Sequence, residues 1–160
     1  MLKKSLVLIF AVIISLVSTA CKNDEPNEKR VESIQHDWKE SPLFKSGNYT
    51  MIGEEGRLGF IYDDGEVSRF YPNKTQKYMW HFWGNEDELI GDFEVLGMHE
   101  NSNEEIIIVP KIENTFLSPN NGADQHSPTN MMLSKSGMWK LDAYIGDRLF
   151  GSVYVKVHKN

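Results

Sequence analysis

The rhythm of apolar and polar residues changes three times along this chain of 160 residues. Leu6 to Leu16 is an apolar block broken only by Ser15, and it ends in the small residues Ser18, Thr19 and Ala20. From Lys22 to about residue 45 the chain is polar and proline-containing, opening Lys-Asn-Asp-Glu-Pro-Asn-Glu-Lys-Arg, which reads as a flexible tether. Within its second half, Val31 to Glu40 places Ile34 and Trp38 one helical turn apart. That spacing predicts a short helix, stable only if Trp38 docks on a folded body, because ten residues alone are marginal in water.

From Tyr49 onward the period becomes two. Leu58, Phe60 and Tyr62 alternate before an Asp63-Asp64-Gly65 turn. Lys77-Tyr-Met-Trp-His-Phe-Trp83 is the most aromatic strand, and Phe93 and Val95 oppose Asp92 and Glu94. The continuous apolar run Glu105-Ile-Ile-Ile-Val109 predicts a strand covered on both faces. Pro119, Asn120, Asn121, Gly122 and Pro128 predict a long loop over 117–130. The C-terminus is the clearest element. Trp139, Leu141, Ala143 and Ile145 alternate, Gly146-Asp147 turns the chain, and Leu149, Gly151, Val153, Val155 and Val157 share one face of the return strand.

No segment past residue 45 sustains a 3.6-residue period. Six or seven strands joined by turns predict an all-β fold, an antiparallel immunoglobulin-like β-sandwich, with Trp80 as its buried tryptophan. A small barrel is the competing architecture.

Basic residues Lys3 and Lys4, the apolar block and the small residues follow the order of a secretory signal peptide. Cys21, the only cysteine, comes directly after them, as in bacterial lipoproteins. The expected organisation is a signal peptide over 1–20, a lipidated N-terminus and tether over 21–45, and a sandwich domain over 46–160. Cys21 is the expected lipidation site. Two acyl chains there would hold the protein on the outer face of the cytoplasmic membrane, each buried methylene adding about 0.8 kcal/mol.

Charge narrows the partners. The chain has 17 basic and 23 acidic side chains, and removing residues 1–20 takes away two lysines, leaving 15 − 23 = −8. A surface that acidic, with no basic stripe, argues against nucleic acid. With Cys21 acylated no thiol remains for a disulfide, so the domain must be held by its core.

Candidate chemistry gathers on the tryptophan strand. If Tyr78, Trp80 and Phe82 face the core, Met79, His81 and Trp83 stand on the opposite face as a candidate binding stripe. The alternative is that the long loop or the tether covers that face. Five histidines show no ligand spacing, and only a meeting of His81, Asp124 and His126 in space would form a metal set. No nucleophile sits in a recognisable frame, such as GxSxG or SxxK. The acidic clusters Asp63-Asp64, Glu86-Asp87-Glu88 and Glu104-Glu105 fall where turns are expected, and Gly53, Gly56 and Gly59 precede no helix that would make a phosphate loop.

The stretches GEEGRLGF at 53–60, KYMWHFWG at 77–84 and SGMWKLDAYIGDRLFGSVYVKV at 136–157 resemble a family of small lipoproteins from Gram-positive, Bacillus-type bacteria, classed as a domain of unknown function. The resemblance spans roughly residues 43 to 158 and implies membrane attachment and a β-sandwich. It implies no activity, and only Cys21 carries over, as the lipidation site.

The expected function is a non-enzymatic, membrane-anchored binding or accessory module of the cell envelope. It needs no cofactor and meets a protein or wall component through loops or the His81/Trp83 face. Two other readings stand beside it: a metal-assisted enzyme using His81, Asp124 and His126, and an inhibitor of a secreted protease that inserts loop 117–130.

Overall fold

The structure is a computed structural model that describes residues 35–159. The expected signal peptide, Cys21, and the first part of the predicted helix lie outside the described residues. Nine strands follow in order: β1 (Leu43–Ser46), β2 (Tyr49–Glu54), β3 (Leu58–Ile61), β4 (Gln76–Phe82), β5 (Phe93–His99), β6 (Glu105–Ile112), β7 (Gln125–Met131), β8 (Gly137–Ile145) and β9 (Arg148–Val157). They form two antiparallel sheets, β1-β2-β3-β4-β7 and β6-β5-β8-β9. The all-β sandwich expected from the period-2 pattern is therefore the observed fold. Setting the β1–β2 hairpin aside, β3-β4-β7 over β6-β5-β8-β9 follows the A-B-E over C′-C-F-G strand order of immunoglobulin-like sandwiches. Trp80 is buried as expected, but it rides on the B-position strand rather than on C.

The alternation read from the sequence decides what lies between the sheets. Leu58, Phe60 and Tyr62 from one sheet meet Trp139, Leu141, Val153 and Val155 from the other, all buried. Phe60 is the hub, with the rings of Tyr62, Phe70, Tyr78 and Trp80 at 6.3, 6.1, 5.2 and 4.8 Å and steeply inclined to it. Edge-to-face packing of this kind adds to what ring burial contributes. The Trp80 indole N–H donates to Thr129 Oγ1 at 3.1 Å, so the largest core side chain buries no unpaired donor.

Four expectations need correction. First, residues 35–42 are not helical. Trp38 does dock, stacking on His36 at 4.6 Å and meeting Tyr154 edge-on at 5.6 Å, but in an irregular segment. Ser41 N–H donates to Tyr154 O and Ser41 Oγ accepts from Tyr154 N–H, so the segment covers the open edge of β9. Pairing with a sheet edge outcompetes a ten-residue helix, because it satisfies strand groups that would otherwise face water unpaired. The first strand accordingly opens at Leu43, three residues ahead of the expected domain start.

Second, Ile106 to Val109 is not covered on both faces. β6 is an edge strand and Ile107 is 63% exposed, with only Val109 fully packed. Two register shifts in its pairing with β5, and Pro110 within it, make β6 irregular, and irregular edge strands discourage pairing with another chain.

Third, the loop 117–130 is shorter than expected, because β7 begins at Gln125. Pro128 sits within it opposite Met79, which is tolerated because β7 is the last strand of its sheet.

Fourth, the C-terminal hairpin keeps its turn and its Val155-in, Lys156-out register, but a bulge follows Ala143. Gly151 pairs with Ala143 and Leu149 with Tyr144, so Phe150 is the extra residue and points inward while Leu149 is half exposed.

Candidate functional site

The outer face of the five-stranded sheet carries the predicted stripe, and its floor is set by glycine. His81 aligns with Gly59 on one side and His126 on the other. A Cβ on Gly59 would come within 2.9 Å of the Phe44 ring and 2.7 Å of Ile52 O. Gly53, opposite it, has φ +145 and would place a Cβ 2.2 Å from Leu58 O. These two glycines let β2 and β3 lie flat enough for Phe44 to pack across them, which explains the glycine spacing without any phosphate.

The segment between β6 and β7 then lies down over this face. Asn121 and Gly122, both at positive φ, bend the chain inward. Ser46 Oγ donates to Asn121 O at 2.5 Å, and the Trp83 indole N–H donates to Gly122 O at 2.6 Å. His81 is 0% exposed. Its Nδ1 lies 3.0 Å from Met79 O, which can only accept, so Nδ1 carries the proton. Nε2 is left to accept from Asn121 Nδ2 at 3.1 Å. Burial and the neighbouring His126 together hold the His81 pKa below the ordinary imidazole value, burial being the larger cause. Of the candidate stripe, His81 is sealed, as the covered-face alternative requires, while Met79 and Trp83 are partly accessible.

The alternative metal set of His81, Asp124 and His126 does not assemble among the described residues. The His81 and His126 rings do stack, at 6.0 Å between centroids. Asp124 instead accepts from Gly84 N–H at 3.0 Å, and His126 Nδ1 donates to Ser118 O at 2.7 Å. No group of three metal-ligating side chains occurs among the described residues.

Acidic clusters at strand ends do turn work. Asp63 accepts from Ser68 Oγ at 2.6 Å and from Gly65 N–H at 2.9 Å, which hold its carboxyl below the usual range. Glu88 accepts from Asn85 N–H and from Arg57, and is lowered likewise.

What the sequence did not reveal is a cleft of about 400 Å³ at one end of the sandwich. The connection after β4 supplies Gly84, Glu86 and Leu89, and the connection before β7 supplies Phe116, Leu117 and Pro119. Phe116 is anchored by the core rings of Phe82 and Phe93 at 5.3 and 5.9 Å, whereas Leu117 is nearly half exposed. The signal available was faint: Phe116-Leu117 is an apolar pair inside an otherwise polar loop.

Strand directions place this cleft relative to the N-terminal segment. β4 ends at the cleft and β7 begins there, Phe82 pairing with Gln125. The N-terminal segment touches the other end, His36 N–H donating to Glu100 O and His36 Nε2 donating to Ser102 O and lying 3.0 Å from Asn103 Oδ1, in the turn between β5 and β6.

Among curated proteins none matches the chain in sequence. A crystal structure of a candidate lipoprotein from Bacillus anthracis is similar in fold, with a TM-score of 0.60 at 18% identity, covering 76% of this chain and 87% of that one. Residues 29–155, most of the chain and nearly all of the sandwich, match a family described as a domain of unknown function, and the chain belongs to that family, DUF4871.

Proposed function

We propose that this protein is a lipid-anchored, non-enzymatic binding module of the cell envelope that meets its partner at the end of the sandwich carrying the cleft. One observation carries the reading: His36, near the N-terminal limit of the described residues, is bonded to the β5–β6 turn, while the cleft opens at the opposite end. Fourteen peptide steps separate Cys21 from Gln35, a reach of at most about 50 Å. A domain held from one end presents the other outward. The covered His81 face and the turn-bound carboxylates offer no reactive centre, which favours binding over catalysis. Inhibition by an inserting loop is disfavoured, because Asn121, Gly122 and Ser118 are hydrogen-bonded down onto the sheet.

A photo-crosslinking amino acid at Leu117 and, separately, at Glu104 tests this in living cells. A discrete adduct from position 117 and none from 104 is the expected result. Equal adducts at both, or none at 117, would overturn it. Cys21→Ser reports the anchor independently: the variant should appear in the medium or keep residues 1–20, and normal cleavage with full membrane retention would end the lipoprotein reading.

A further inference from the structure

We infer that the cleft between the β4–β5 and β6–β7 connections takes a lysine or arginine side chain from an extended segment of a partner protein. This rests on the binding-module reading above. Among the described residues, the charged ones lining the cleft are Glu86 and Asp124, and no cation lines it. One Asp124 oxygen accepts from Gly84 N–H, which fixes the carboxylate at the cleft wall without neutralising it. Among the described residues, Arg57, Arg148 and Lys111 each already have a partner. Arg57 donates to Glu88 and Phe150 O and lies 3.6 Å over the Phe150 ring. Arg148 donates to Asp87 O at 2.7 Å, and Lys111 to Asp147 at 2.8 Å.

An anionic ligand would therefore face two carboxylates with no cation among the described lining residues, whereas a cation is complementary. The rest of the lining fits the same guest. Leu89 is buried, Phe116 is held by core rings, and Leu117 projects, giving an apolar wall for a methylene stem whose charged head lies at the acids. A volume of about 400 Å³ accommodates such a side chain with part of its flanking backbone, at the small end of ligand sites. Glu86 and Asp124 are exposed, so a cation keeps part of its hydration and affinity for a single residue is modest.

The probe is a doubly blocked tripeptide Leu-Lys-Leu, compared with its norleucine and glutamate counterparts, titrated into the protein lacking residues 1–20 and carrying Cys21→Ser, with amide shifts recorded by NMR. The lysine peptide should shift Gly84, Glu86, Leu89 and residues 116–125. The norleucine peptide should bind at least tenfold more weakly, and the glutamate peptide should leave these amides unmoved. Glu86→Gln with Asp124→Asn keeps the size of both side chains and an acceptor for Gly84 N–H, and it should abolish the preference for lysine. Equal binding of lysine and norleucine peptides would overturn the charge assignment while leaving a binding cleft. Shifts confined to other regions, or no shifts from any peptide, would overturn the assignment of a side-chain site here. The crosslinking result decides separately whether this end meets a partner.

Discussion

His81 and Asn121, forty residues apart, are locked together through one hydrogen bond that only a neutral imidazole can accept. The bond ties the end of β4 to the loop that covers it, and it makes the cover dependent on pH. The unfolded chain has an ordinary imidazole near pH ~6.5, whereas the folded ring titrates lower. Between those two values the unfolded state binds more protons, so stability rises with pH. The contribution is fully present above the ordinary imidazole value and is lost as pH falls toward the lowered one. Urea unfolding at pH 7.5 and pH 5 should show a loss for the native protein that is smaller in His81→Gln. An identical pH dependence in both proteins would contradict the assignment.

The two indoles of the tryptophan strand should separate by degree. Trp80 is wholly buried and donates to Thr129, so Trp80→Ala should cost about 3–5 kcal/mol. Trp83 is half-buried, with one hydrogen bond to Gly122 and an edge contact with Phe44 at 5.9 Å. Trp83→Ala should cost about 1–2 kcal/mol, in line with losing one hydrogen bond and part of a buried ring. Chemical denaturation checks both, and equal losses would place the two rings in equivalent surroundings.

How much of this was readable in the sequence follows from which forces leave a local signature. Leu58, Phe60 and Tyr62, and the β8–β9 hairpin, showed their inward faces because burial against one opposing sheet imprints a period of two. Ile106 and Ile107 misled, since an apolar run does not say whether the strand is central or at an edge. Leu149 misled because one bulge shifts the alternation, and a bulge is set by cross-strand geometry rather than by local composition. The cover over His81 depends on Asn121 and Gly122 adopting positive φ, which their identities permit but do not dictate. The cleft was least legible: its two sides come from connections some thirty residues apart, brought together only by the pairing of β4 with β7.

Neighbouring positions on β9 should behave oppositely. Val155 is fully buried opposite Trp139, and Lys156 is exposed. Val155→Asp buries a charge without a partner and should cost several kcal/mol, about 3 or more. Lys156→Asp should change stability by less than about 1 kcal/mol. Thermal unfolding of the pair is sufficient, and similar losses at the two positions would mean the strand is out of register.

The covered edge of β9 gives the last test. Tyr154 exchanges two hydrogen bonds with Ser41, and the Trp38 ring packs edge-on against the Tyr154 ring, so Trp38 clamps a segment whose removal would open an unpaired strand edge. Trp38→Ala removes the clamp while leaving the inter-sheet core intact. Global stability should fall by only about 1 kcal/mol, the scale of a partly exposed aromatic contact. Local opening should rise far more. Hydrogen exchange at the Ser41 and Tyr154 amides should accelerate at least tenfold while that of Val153 and Val155 is unchanged, and limited proteolysis should begin to cut within 35–42. An open edge also recruits other strands, so the variant should form concentration-dependent oligomers to a greater extent than the native protein. If Ser41 and Tyr154 exchange at the native rate in Trp38→Ala, the backbone pairing holds the segment by itself and the indole is not its clamp.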